Sequence, residues 1–170
     1  MKTRFPAPLA LTAAVLALSA QPALADTWTQ MKDMAKQQAA QKAETEFSLP
    51  QAAPPGAKVY LIEPKNGAQV TSPVKVVFGL SGMGVAPAGI NQTGTGHHHL
   101  LINNPTVDLT KPLPATEQIK HFGGGQTETT LELKPGTHTL QLLLGDWKHQ
   151  PNNPAVTSEK ITITVKAAAK

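Results

Sequence analysis

The chain has 170 residues, with 15 Lys and Arg against 11 Asp and Glu and no Cys. That length supports one domain plus an appendage, and the absence of Cys excludes disulfides, thiolate metal sites, iron–sulfur clusters and cysteine nucleophiles. The formal charge of +4 includes Lys2 and Arg4; without the first 25 residues it falls to +2 (13 against 11), with no basic cluster suited to nucleic acid.

The N-terminus reads as a secretory signal peptide. Lys2 and Arg4 form a basic start, residues 9–20 are apolar and small, and Ala23-Leu24-Ala25 is an A-x-A cleavage site. Residues 1–25 are therefore expected to be removed, leaving a mature chain from Asp26 in the bacterial periplasm. The apolar run is too short to span a bilayer, and no later run is apolar enough to do so. Export leads to an oxidising compartment, yet this chain has no thiols to oxidise.

Residues 26–47 are expected to form a helical arm. Thr27 and Gln30 fit a capping box, and Trp28, Met31 and Ala35 recur at helical spacing. The remainder is Lys, Gln, Ala and Glu, all good helix formers. The apolar stripe is thin, and Met31 and Met34 read as part of it and not as metal ligands. Residues 48–56, Ser-Leu-Pro-Gln-Ala-Ala-Pro-Pro-Gly, read as a linker. The folded domain is expected over residues 57–166.

Within that domain the signals are strands. Residues 58–63 form the first. Val74, Val76, Phe78 and Leu80 then alternate with Lys75, Val77 and Gly79, and a long glycine-rich loop over residues 81–96 follows. Residues 97–103 run from three histidines into an apolar segment. Residues 104–114 are irregular, with three prolines. Residues 119–122 form a short strand, closed by a Gly-Gly-Gly turn at 123–125. Residues 127–133 and 138–144 alternate apolar and polar positions around a Pro-Gly turn, residues 145–154 are a loop, and Ile161, Ile163 and Val165 mark the last strand. About seven short strands with turn signals between them imply an all-β, immunoglobulin-like antiparallel sandwich.

Histidine placement follows from strand geometry. Side chains alternate across a strand, so His97, His99 and Leu101 share one face while His98, Leu100 and Ile102 share the other. In sandwich order, the loop over 81–96, the turn at 123–125 and the loop over 145–157 gather at one end. His97, His98, His99, His121, Asp146, Trp147 and His149 then converge on one tip, and His138 lies at the opposite end. His98 should face the core near Leu144 and Asp146, whose carboxylate would hold one imidazole tautomer. His97 and His99 should face solvent.

This pattern points to a divalent metal site, Cu(II) or Zn(II), with ligands drawn from His97, His98, His99, His121, Asp146 and His149. Met83 is the single loop thioether, which disfavours Cu(I). The competing reading is a hydrogen-bonded cluster in which the histidines, Asp146 and Trp147 fix the loops. Ser72, Ser81 and Ser158 sit in no nucleophile motif, and neither glycine-rich loop joins a strand to a helix as a phosphate loop would. A non-enzymatic binding domain is therefore expected ahead of a hydrolase using metal-activated water. Its partner would be a metal ion or small ligand, or else a protein of the cell envelope.

The stretches GTGHHHLLIN, FGGGQTETTLELKPGTHTLQLLLGDWKHQPNNP and SEKITITV resemble a family of secreted bacterial domains of unknown function, over about residues 59–165. The resemblance implies an exported single-domain protein with an all-β fold and supplies no reaction or ligand. By architecture the chain is more loosely similar to periplasmic copper-binding β-sandwiches, whose Met- and His-rich ligand patterns it does not reproduce.

Overall fold

The computed structural model describes residues 23–46 and 49–167. Most of the expected signal peptide, residues 1–22, lies outside the described residues. Two compact units divide the chain, one ending at Gln38 and the other beginning at Ala39.

Helix α1 runs over Ala23–Glu46. It starts earlier than the capping box suggests. Ala23, Leu24 and Ala25 have high helix propensity, so Thr27 lies inside the helix and not at its N-cap. Asp26 sits in the first turn, where a carboxylate complements the helix dipole. Trp28, Met31 and Met34 are all exposed, and Lys32 lies 5.5 Å from the Trp28 ring one turn back. Among the described residues no helix is long and apolar enough to cross a membrane.

The rest is a β-sandwich. Its strands are β1 (Lys58–Glu63), β2 (Gln69–Thr71), β3 (Val74–Ser81), β4 (Gly84–Val85), β5 (Thr95–Ile102), β6 (Ile119–His121), β7 (Glu128–Leu131), β8 (Gly136–Gly145) and β9 (Ile161–Lys166). One sheet has the order β1-β3-β7 and is antiparallel. The other has the order β2-β9-β8-β5-β4, and β6 pairs with β5 from outside that path. The seven strands expected from the sequence are all present, with β2 and β4 as short additions. The immunoglobulin-type order would place β6 beside β7 in the first sheet. Here β6 joins β5 instead, with His99 opposite His121 and Leu101 opposite Ile119.

Alternation explains the core. On β3, Val74, Val76 and Phe78 are buried while Lys75 is exposed, and on β9 Ile161, Ile163 and Val165 alternate with exposed threonines. These residues meet Val59, Leu100, Ile102, Leu131, Leu140, Leu142 and Leu144 between the sheets. Each such side chain contributes about 1.5–3 kcal/mol on burial. A second, smaller cluster forms on the outer face of the larger sheet, where Leu113 covers Leu101 and Leu143, flanked by Val107 and Ala155. The proline-rich segment 104–118 is thus a cover for that face. The expected linker is also partly engaged. Gln51 is buried, and the Ala53 amide donates to the Asn153 carbonyl at 3.4 Å. The Asn153 amide in turn donates to the Gln51 carbonyl at 3.0 Å.

Candidate metal centre

The site begins with the pairing of β5 and β8. His97 lies opposite Gly145, His98 opposite Leu144 and His99 opposite Leu143. Gly96 allows this close approach, since a Cβ there would lie 2.7 Å from the Gly145 carbonyl oxygen. Strand alternation then sends His97 and His99 to the outer face, and β6 brings His121 beside them.

The fourth ring comes from the loop after β8. Asp146 organises this loop: its Oδ1 accepts from the amides of Lys148 and Gln150 at 2.8 and 2.9 Å, and its carbonyl accepts from the His149 amide at 2.9 Å. His149 takes a left-handed backbone, φ 69°, a conformation that few residues other than glycine adopt. The Leu113 amide holds the His149 carbonyl at 2.8 Å. The loop over residues 82–94 ties the tip together, since the Ala88 amide donates to the Gly123 carbonyl and the Gly89 amide to the Trp147 carbonyl, at 2.8 and 2.9 Å.

The result is a cluster of four imidazoles. Ring centroids are 4.8 Å apart for His97 and His99, 5.0 Å for His97 and His121, and 5.0 Å for His97 and His149. They are 5.1 Å apart for His99 and His121, 4.7 Å for His121 and His149, and 6.2 Å for His99 and His149. His97, His99 and His121 each bring one ring nitrogen within 4.8 Å of the others, a group that could hold a metal ion. Both ring nitrogens of His97 and of His99, and Nε2 of His121, are buried without a hydrogen-bond partner in the protein. An unmet buried polar group costs about 1–3 kcal/mol, so orphaned nitrogens gathered at one point call for a ligand.

Burial, with the neighbouring rings, favours the neutral form of His97, His99 and His121. Burial, then the charges of His121, His149 and His98, lowers the His97 pKa to about 4. Burial, then His97, His121, His149 and His98, lowers that of His99 to about 3. His121 is lowered by burial and then by His149. Neutral imidazole is the form that binds metals.

The structure places the sequence-derived candidates as follows. His97, His99, His121 and His149 come together. His98 is on the opposite face, as alternation requires, with its ring 5.2 Å from that of Phe78 in the core. Neither of its ring nitrogens makes a hydrogen bond of standard geometry, and its pKa is lowered to about 4 by burial, opposed by the Gln126 backbone. The expected His98–Asp146 hydrogen bond is absent, because Asp146 turns Oδ1 to its own loop and leaves Oδ2 buried and unpartnered. Asp146 thus braces the loop and does not join the rings. His97 and His99 are fully buried and not solvent-facing, because the outer face of this sheet is covered by His121, His149 and the segment carrying Leu113. His138 lies away from the cluster, with its ring nitrogens 3.2 Å from Asn103 Oδ1 and 2.9 Å from the Lys134 carbonyl oxygen.

Two glycines complete the site. A Cβ at Gly145 would lie 2.7 Å from His99 Cε1, and one at Gly123 would clash with the His121 ring. Both positions read from sequence as ordinary turn glycines. Their signal was that each lies within two residues of a candidate ligand, Gly123 after His121 and Gly145 before Asp146.

The pattern of a family described as a domain of unknown function, DUF4399, matches residues 76–166. The chain belongs to the DUF4399 family. The DUF4399 match contains all four clustered histidines and begins at Val76, later than the resemblance over residues 59–165 suggested. No curated protein matches. Among solved structures, the chain is similar to a fibronectin(III)-like module of Clostridium thermocellum CbhA, at 15% identity and a TM-score of 0.38, over 65% of this chain and 99% of that one. The sandwich assignment rests on the strand order of this chain.

Proposed function

We propose that this domain binds a divalent first-row transition-metal ion, Cu(II) or Zn(II), through the imidazoles of His97, His99 and His121, in a protein exported to the bacterial periplasm. One observation carries the reading: three ring nitrogens lie within 4.8 Å of one another, on side chains whose buried nitrogens have no partner in the protein. Imidazole is a suitable donor for both ions. The lowered pKa values of His97, His99 and His121 support it, since ligands already neutral at pH 7 need not lose a proton to bind. Export is supported by Lys2, Arg4, the apolar run and the A-x-A motif. The role is binding and not turnover, consistent with the lack of a nucleophile motif.

Calorimetric titration of the tag-free full chain with Cu(II) and with Zn(II) tests this, beside His97→Ala/His99→Ala and His121→Ala. One-to-one binding that both variants lose supports the proposal. Binding no tighter than about 10⁻⁴ M, the weak end of metal sites, overturns it. One observation favours a second reading, in which the cluster packs the tip as an interaction module of the envelope: the rings also meet at separations and tilts usual for aromatic packing. That reading predicts a melting temperature indifferent to chelators.

A further inference from the structure

We infer that His149 closes this centre as a fourth imidazole ligand, making it a four-coordinate holding site with no open position for substrate or catalytic water. The inference rests on the metal reading above. A tetrahedral ion with metal–nitrogen bonds of about 2.0–2.1 Å places each ring centroid about 3.2 Å from the metal and any two centroids about 5.2 Å apart. Four rings around one ion therefore have six nearly equal separations. Here five of the six lie between 4.7 and 5.1 Å, and the sixth, His99 to His149, is 6.2 Å. His149 forms two of the close edges, at 5.0 Å to His97 and 4.7 Å to His121.

The donors divide between paired strands and one braced loop. His97, His99 and His121 are fixed by paired strands, with His97 and His99 fully buried. His149 sits on a loop that Asp146 shapes from within, and it is only partly buried. An ion entering from the loop side would meet His121 and His149 first and finish against His97 and His99. The longer His99–His149 edge shortens if the His149 side chain turns toward the ion, with its backbone held by Asp146 and the Leu113 amide. The chemistry that follows is specific. Metal sites with all positions held by protein serve structure or storage, whereas catalytic sites keep one open. Four imidazoles suit Cu(II) and Zn(II) and bring no thiolate or carboxylate to the ion.

The test uses the full chain loaded with Co(II), whose visible absorption reports coordination number, together with zinc X-ray absorption to count imidazoles. The informative variants are His149→Asn and His149→Gly, because both residues accept the left-handed backbone that alanine would strain. The native protein should show the intense bands of four-coordinate Co(II), four imidazoles per zinc, and no response to azide. The variants should keep one-to-one stoichiometry, lose at least about 10-fold in affinity, show three imidazoles per zinc, and change colour with azide or added imidazole. If native protein and variants share one spectrum, one imidazole count and one azide response, the fourth-ligand inference fails while the three-histidine site stands. If the native protein binds neither Co(II) nor Zn(II), the metal reading falls, and this inference with it.

Discussion

Lowering the pH from 6.5 toward 4 should destabilise the metal-free domain through its buried histidines. His97 and His98 have pKa values lowered to about 4, and His99 to about 3, all chiefly by burial, while an unfolded histidine titrates near 6.5. Below about pH 6.5 the unfolded chain takes up protons that the folded chain refuses, so the stability these neutral rings permit is fully present above that value. It is then lost as pH falls toward the folded values of about 4 and about 3. Each such group contributes a slope of about 1.4 kcal/mol per pH unit, so three contribute about 4 kcal/mol per unit. Between about pH 6 and pH 4 the three groups together remove about 7 kcal/mol, comparable with the about 5–15 kcal/mol by which a typical domain is stable. Asp108 does not confuse the window. It is exposed, and the Thr110 hydroxyl and amide and then Lys111 hold it down to about 2, below an ordinary value of 3.8, so its effect lies at lower pH. The assay is the urea midpoint at pH 7.5, 6.5, 5.5 and 4.5 with a chelator present, for the native chain and for His98→Leu. The leucine removes one of the three titrating groups and packs against Phe78, so the slope should fall by about one third. A midpoint constant from pH 7.5 to 5, or an unchanged slope in the variant, would refute the argument.

Three further outcomes are expected. Zinc at about 100 times its dissociation constant should stabilise the fold by about 2.7 kcal/mol, seen as a rise of several degrees in melting temperature that a chelator reverses and that His121→Ala abolishes. Gly145→Ala should weaken metal binding, because its methyl would lie 2.7 Å from His99 Cε1; circular dichroism should show an intact sheet while calorimetry shows the lost affinity. Leu142→Ala, in the centre of the sandwich at 0% exposure, should cost about 2–5 kcal/mol by denaturant melt while leaving metal stoichiometry unchanged, which separates core damage from site damage.

The alternation on β3, β7, β8 and β9 made those four strands legible, because a strand with one buried face writes its period directly into the sequence. The same period placed His97 and His99 on one face and His98 on the other, and the register His98–Leu144 followed from simple antiparallel pairing. Burial of His97 and His99 was not legible. It depends on the rings of His121 and His149 lying against them, and the His149 carbonyl is held by the amide of Leu113, from a proline-rich segment with no period. The role of Asp146 was not legible either, since an aspartate beside histidines reads equally as their partner or as the brace of its own turn. Only the amides of Lys148 and Gln150 decide between these.

The decisive step was the allegiance of β6. Its three residues, Ile119–His121, carry too little pattern to choose between sheets. Paired beside β7, as in the immunoglobulin order, His121 would belong to the other sheet. Paired with β5, it stands directly opposite His99. Only then do the two histidines at i and i+2 gain a third on a neighbouring strand, and the loop histidine a cluster to close. The histidine cluster is therefore a property of sheet topology as much as of the histidine motif. An insertion of one residue between Ile119 and Lys120 tests this: Ile119 stays anchored opposite Leu101 and to Thr116, while the one-residue slip beyond it turns the His121 side chain to the opposite face. Such a variant should keep His97 and His99 in place yet lose the three-nitrogen group, and calorimetry should show the metal affinity gone while the β3 and β8 core still melts cooperatively. Retention of native affinity would show that His121 reaches the site without the β5–β6 register.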